Sequence, residues 1–144
     1  MSVEVNGWAV VLAALSSMVV GSLWYMPATF GKAWMKFTGI NVEKMRKSQK
    51  PAQMAFLYGS VFVASLVTAY ILAHVSFLAN KFFGNSFMSD SLQTGFWLWL
   101  GFTAARLYVH DSFESRRKKL TLINAGHELV TVLVMALIIG AMKP

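Results

Sequence analysis

Four long stretches of this chain carry almost nothing that charges at neutral pH. Val5 to Gly31 holds no charged side chain, and Pro51 to Asn80 has only His74. Ser91 to Val109 has only Arg106, and Leu120 to Met142 has only His127 and Glu128. A hydrocarbon core about 30 Å thick takes roughly 20 apolar residues per helical crossing, and each stretch is of that order. A water-soluble fold would need helices apolar on every side in a chain too small to bury them. The pattern therefore predicts an all-α, integral membrane four-helix bundle in a single domain, with spans at about 7–26, 52–78, 91–113 and 120–142. A short interfacial helix is expected after the first span, and no soluble domain beside the bundle.

The net charge of +7 is unevenly placed. Lys32, Lys36, Lys44, Arg46, Lys47 and Lys50 lie in the first connection, and Arg116, Arg117, Lys118 and Lys119 in the third. The second has only Lys81. The positive-inside rule puts the first and third connections in the cytoplasm, so both termini are expected outside a plasma (inner) membrane. Such clusters attract anionic lipid headgroups, which makes the bilayer the expected partner and nucleic acid not one. A second copy of the chain or a membrane-complex subunit is the other expected partner. The absence of cysteine excludes disulfides, thiolate metal sites and cysteine nucleophiles together. The first span lacks a basic segment before it and is too long for a signal peptide.

Local signals divide the chain further. Ala9, Ala13, Ser17 and Gly21 recur every fourth residue, as do Ser60, Ala64 and Thr68. Small residues so spaced let two helix backbones approach closely in lipid, against either an internal neighbour or another subunit. Pro27 should end the first helix. Ala28 to Phe37 then reads as the interfacial helix, with Trp24, Tyr25 and Trp34 as interfacial anchors. Gly39 stops it, Asn41 caps a second short helix over Val42 to Gln49, and Pro51 fits the first turn of the next span. Asn80 to Asp90 reads as an outer loop.

Ionisable groups inside spans are costly and mark candidate sites. Thr103, Arg106, His110 and Phe113 follow 3-4-3 spacing, as do Thr121, Asn124, Glu128 and Thr131, so each set shares a helix face. At 1.5 Å per residue, Glu128 lies about 12 Å beyond Leu120 and Arg106 about 9 Å before Ser112. The spacing predicts an Arg106–Glu128 ion pair, supported by Asn124 and by His110 or His127. That pair either fixes helix register or lines a polar cavity, open to the cytoplasm, for an ion, a proton or an anionic headgroup. Asp111 and Glu114 are expected nearer the surface, within reach of Arg116 and Arg117. A metal set of His110, Asp111, Glu114, His127 and Glu128 is disfavoured because position 111 leaves the face of 110 and 114 and no HExxH is present. No metal or cofactor is expected. Gly-rich phosphate loops, GxSxG elbows and paired catalytic carboxylates are absent, so no catalytic residue is assigned.

The stretch from Gly21 to Gly39 resembles the opening motif of DUF1761, a family of small bacterial membrane proteins of unknown function. The residues that fit G-x-x-W-Y-x-P-x-x-F-G-x-x-W are Gly21, Trp24, Tyr25, Pro27, Phe30, Gly31 and Trp34. Phe113-Glu114 and Leu122-Ile123-Asn124-Ala125-Gly126 are similar to that family's second half. Family members often carry an aromatic residue where this chain has His127-Glu128. The resemblance implies a four-helix membrane domain without assigned activity, and an elbow at Trp24 to Trp34 that lines a groove or forms a rigid interfacial turn. The combined reading is a small, non-enzymatic and oligomeric membrane protein that binds or passes a solute, ion or lipid. The alternatives are an accessory or scaffold subunit, and a lipid-headgroup enzyme using Glu128, His127 and His110 as acid–base groups.

Overall fold

The computed structural model describes residues 3–144, and among them the fold is all-helical. Its elements are α1 (Gly7–Trp24), α2 (Gly31–Thr38), α3 (Val42–Ser48), α4 (Pro51–Phe83), α5 (Phe87–Leu98), a π-helical segment (Trp99–Ala104), α6 (Ala105–Phe113) and α7 (Lys118–Met142). α1, α4 and α7 are each long and apolar enough to cross a membrane. The stretch expected as the third span is instead three helical pieces, α5, the π segment and α6, joined end to end with right-handed helical backbone at the junctions.

Most boundaries have a local cause. Asn6 Oδ1 accepts from the backbone N–H of Trp8 and Ala9 and so starts α1. Gly39 closes α2 in a left-handed conformation (φ 73°). Asn41 Oδ1 accepts from Lys44 N–H at 3.0 Å and starts α3. Pro51 opens α4, as its missing N–H and fixed φ favour. α4 runs five residues further than expected, to Phe83, before Gly84 ends it. The loop expected over Asn80 to Asp90 therefore shrinks to a turn. There the buried Asp90 carboxylate accepts from the side-chain amides of Asn80 (2.8 Å) and Asn85 (3.0 Å).

α1 packs on α4 and on α7, and α5 also packs on both. Ala9, Ala13 and Ala14 meet a layer containing Ala69, Leu72, Ala73, Met135, Ala136 and Ile139. Deeper along the same face, Ser17 Oγ donates to Ser65 Oγ at 2.9 Å. The Ala9–Gly21 stripe, read from sequence as open to either an internal or an external partner, is used within the chain. The other stripe, Ser60, Ala64 and Thr68, is exposed. At the opposite end of α1, Asn6 Nδ2 donates to the Lys143 carbonyl at 3.1 Å, so α1 and α7 run antiparallel. The basic connections Lys32–Lys50 and Arg116–Lys119 thus share the end where α1 finishes and α7 begins.

Candidate functional site

Everything at that end hangs on how the chain leaves α1. Pro27 cannot donate to the ladder, so the last carbonyls of α1 need other partners. Thr29 Oγ1 lies 2.6 Å from the carbonyls of Leu23 and Trp24 and 3.1 Å from that of Met26. Phe30 N–H donates to Trp24 O at 3.1 Å, and Gly31 N–H to Met26 O at 3.0 Å. This reversal is tight. A Cβ at Gly31 would stand 2.2 Å from Tyr25 O and 2.7 Å from Met26 O, so no larger residue fits without moving backbone.

The reversal lays two aromatic pairs side by side. Phe30 stacks on Trp24 with ring centroids 4.5 Å apart, and Trp34 meets Tyr25 edge-on at 5.6 Å. Both pairs dock on one turn of α7. Gly126 makes room for Trp24: a Cβ there would lie 3.2 Å from the indole Cζ2. Tyr25 Oη donates to Asn124 Oδ1 at 3.2 Å. The His127 ring sits 5.0 Å from that of Tyr25. Its Nδ1 is 3.3 Å from Glu128 Oε1, and its Nε2 is 3.4 Å from Thr131 Oγ1. One tautomer satisfies both contacts: Nδ1–H donates to the carboxylate, and Nε2 accepts from the threonine hydroxyl. From the other side, Trp99 Nε1 in the π segment donates to Ala125 O at 2.9 Å.

Between the elbow, α3, α6 and α7 lies a cavity of about 520 Å³. Its polar wall is Tyr25, Asn124 and Glu128, and its apolar wall is Trp34, Val42 and Leu107, with Gly31 at the base of the elbow. The volume is in the range of small-molecule sites, which pair a mostly apolar lining with a few polar groups.

The expected Arg106–Glu128 ion pair is not formed. Arg106 is exposed, and among the described residues Glu128 pairs with His127 alone. The reason is the π segment. An i→i+5 turn takes in one residue more than an α turn, which rotates everything after it by roughly 100°. The buried side of α5 contains Ser91 and Gly95. That side continues through Thr103 in the π segment, then Leu107 and the buried Asp111, while Phe102 is 77% exposed and Arg106 is exposed as well. His110 is swung out as well. Of the candidate residues, Asn124, His127 and Glu128 come together on α7 with Tyr25, Gly31 and Trp34, while Arg106 and His110 do not join them.

Asp111, expected nearer the surface, is buried and accepts from Thr121 Oγ1 at 2.7 Å. His110, Asp111 and Glu114 bring one ligand atom each within 4.8 Å of one another. Arg116 already meets both carboxylates, bonding Glu114 and lying 3.8 Å from Asp111, so the group acts as a clasp on the α6–α7 turn. Three participants were not singled out from sequence: Trp99, Leu107 and Val42. An indole inside an apolar stretch, needing a partner for its N–H, is the one available signal among them.

The family model of DUF1761, a protein family of unknown function, matches residues 8–140. The chain belongs to the DUF1761 family. Searches of curated proteins and of solved structures found no match. Two of the stretches that resemble the family, Gly21 to Gly39 and Leu122 to Gly126, meet each other here through Tyr25 on Asn124 and Trp24 against Gly126.

Proposed function

We propose that this DUF1761 protein is a multi-pass membrane protein that binds a small solute or lipid in the cavity beneath the elbow. Four crossings are inferred, with α5, the π segment and α6 acting as one. The basic end then faces the cytoplasm and both termini lie outside, in keeping with the positive-inside rule. The observation that carries the reading is the convergence of Tyr25, Trp34, Asn124 and Glu128 on one cavity at that end. Transport would need this cavity to open toward the far side as well, and binding is the part of the reading that the geometry supports.

A cysteine-free chain makes the test direct. Val42→Cys and Leu107→Cys, each on the cavity wall, are to be labelled with a membrane-impermeant maleimide in vesicles of known orientation. Labelling from the cytoplasmic side alone supports both the cavity and the orientation. Labelling of Val42→Cys from the outside, or a Leu107→Cys thiol inert from both sides, counts against them.

A second reading, an accessory subunit of a membrane complex, is favoured by the first half of α4. Residues 51–64 are almost wholly exposed, with Phe56 at 80% and Val63 at 59%. Recovery of a stoichiometric partner that is lost on Phe56→Ala would establish it.

A further inference from the structure

We propose that the cavity beneath the elbow selects an organic cation: an amine or quaternary ammonium group carried on an apolar body. This rests on the binding role inferred above and names its ligand class. Among the described residues, Glu128 is the one charged group on the cavity wall, and no lysine or arginine lines it. Among the described residues its carboxylate has no lysine or arginine partner. Arg106 is exposed and does not pair with it, and the one side chain that meets it, His127, does so through Nδ1 at 3.3 Å. An anion entering here would meet that charge directly. A neutral apolar solute would strip water from the carboxylate and give nothing back, which is costly.

A cation compensates the charge, and two rings wait beside it. Tyr25 and Trp34, edge-to-face at 5.6 Å, both line the cavity, and aromatic walls attract organic cations. A bare metal ion suits the site poorly. It would want several oxygen ligands in a tight shell, whereas this space is about 520 Å³ and its oxygens are few, with Asn124 Oδ1 already accepting from Tyr25. Size and lining instead fit an ammonium group with attached hydrocarbon. That chemistry is offered both by free amines and by ammonium-bearing lipid headgroups.

The test uses the full chain in dodecyl maltoside, a detergent without ammonium groups. The probes are benzyltrimethylammonium, its uncharged isostere neopentylbenzene, and the anion benzylsulfonate. Binding is read by calorimetry and by protection of the Val42→Cys thiol from maleimide. The cation should bind at least about tenfold more tightly than either other probe, and Glu128→Gln should remove most of that preference. Trp34→Leu should weaken the cation by a few-fold and the neutral isostere little. Displacement of the cation by added phosphatidylethanolamine, but not by phosphatidylglycerol, identifies a lipid headgroup as the source; no displacement by either identifies a free amine. Equal binding of cation and isostere, or a preference that survives Glu128→Gln, overturns the inference. If the isostere protects Val42→Cys as well as the cation does, the cavity stands and its charge selectivity falls. If no probe protects that thiol, the binding role falls with it.

Discussion

Tyr25 donates its phenolic hydrogen to Asn124 Oδ1 across 3.2 Å, joining two residues 99 positions apart in the chain. This bond ties the end of α1 to the start of α7 at the wall of the cavity. Losing it should cost about 0.5–1.5 kcal/mol, the net worth of a neutral hydrogen bond. Tyr25→Phe, Asn124→Ala and the double variant, unfolded in micelles by denaturant, should show coupling of that size. Strict additivity would mean that the contact holds nothing together.

The elbow predicts a graded glycine series. Gly31→Ala drives a methyl group into the carbonyls of Tyr25 and Met26 and should displace α2 altogether, lowering stability by more than about 3 kcal/mol. Gly126→Ala presses on the Trp24 ring from 3.2 Å and should cost about 1–3 kcal/mol, as overpacking does. Gly59→Ala, with open space around it, should be neutral or stabilise by up to about 1 kcal/mol. Thermal unfolding followed by tryptophan fluorescence ranks the three, and any other order contradicts the geometry.

Asp111 should be the costliest single polar residue to lose at the α6–α7 turn. Its buried carboxylate serves Thr121 and lies near Arg116, so Asp111→Ala should destabilise by about 1.5–3 kcal/mol. Thr121→Val should cost less, since Arg116 remains close by. Glu114→Ala, on an exposed residue, should be near neutral. Chemical denaturation of the three variants provides the comparison.

The π segment predicts an unusual tolerance to deletion. Removing Phe102, which is 77% exposed, takes out the one extra residue and lets the segment relax to an α turn. The buried faces of α5 and α6 then keep their register against α7. Removing Val130 from the unbroken α7 instead rotates half that helix by about 100°. The Phe102 deletion should still yield folded protein by size exclusion and circular dichroism, and the Val130 deletion should not.

Much of this architecture is written in local chemistry. Gly39, Asn41 and Pro51 mark their boundaries because each acts on its own backbone within a turn. The elbow was legible because Pro27 and Gly31 impose constraints that few other residues meet. Arg106 was misplaced for the opposite reason. Its stripe was drawn on an unbroken α-helix, and nothing in Trp99–Ala104 announces a slipped hydrogen-bond ladder by composition. The slip accompanies a long-range bond, Trp99 to the Ala125 carbonyl, which spacing within one helix cannot reveal. Asp111 does lie within reach of Arg116, as its position in the chain suggests, but its burial against Thr121 depends on a neighbouring helix that spacing within α6 cannot reveal. The Asn124 to Glu128 stretch of α7 stands out in the sequence by its polar residues, but its side chains meet Tyr25 of the elbow rather than Arg106 of α6.

The antiparallel pairing of α1 and α7 also fixes an order of events during synthesis. Trp24, Tyr25 and Trp34 leave the ribosome early, whereas the turn that receives them is made roughly a hundred residues later, several seconds or more at ordinary elongation rates. Through that interval the elbow lacks the α7 surface it rests on, and of its two main neighbours α1 has only α4. The pocket is thus a late-assembled feature, completed only as the last helix arrives. A nascent chain stalled before Asn124 would hold its early helices without the cavity, and quality-control proteases would meet the aromatic elbow uncovered.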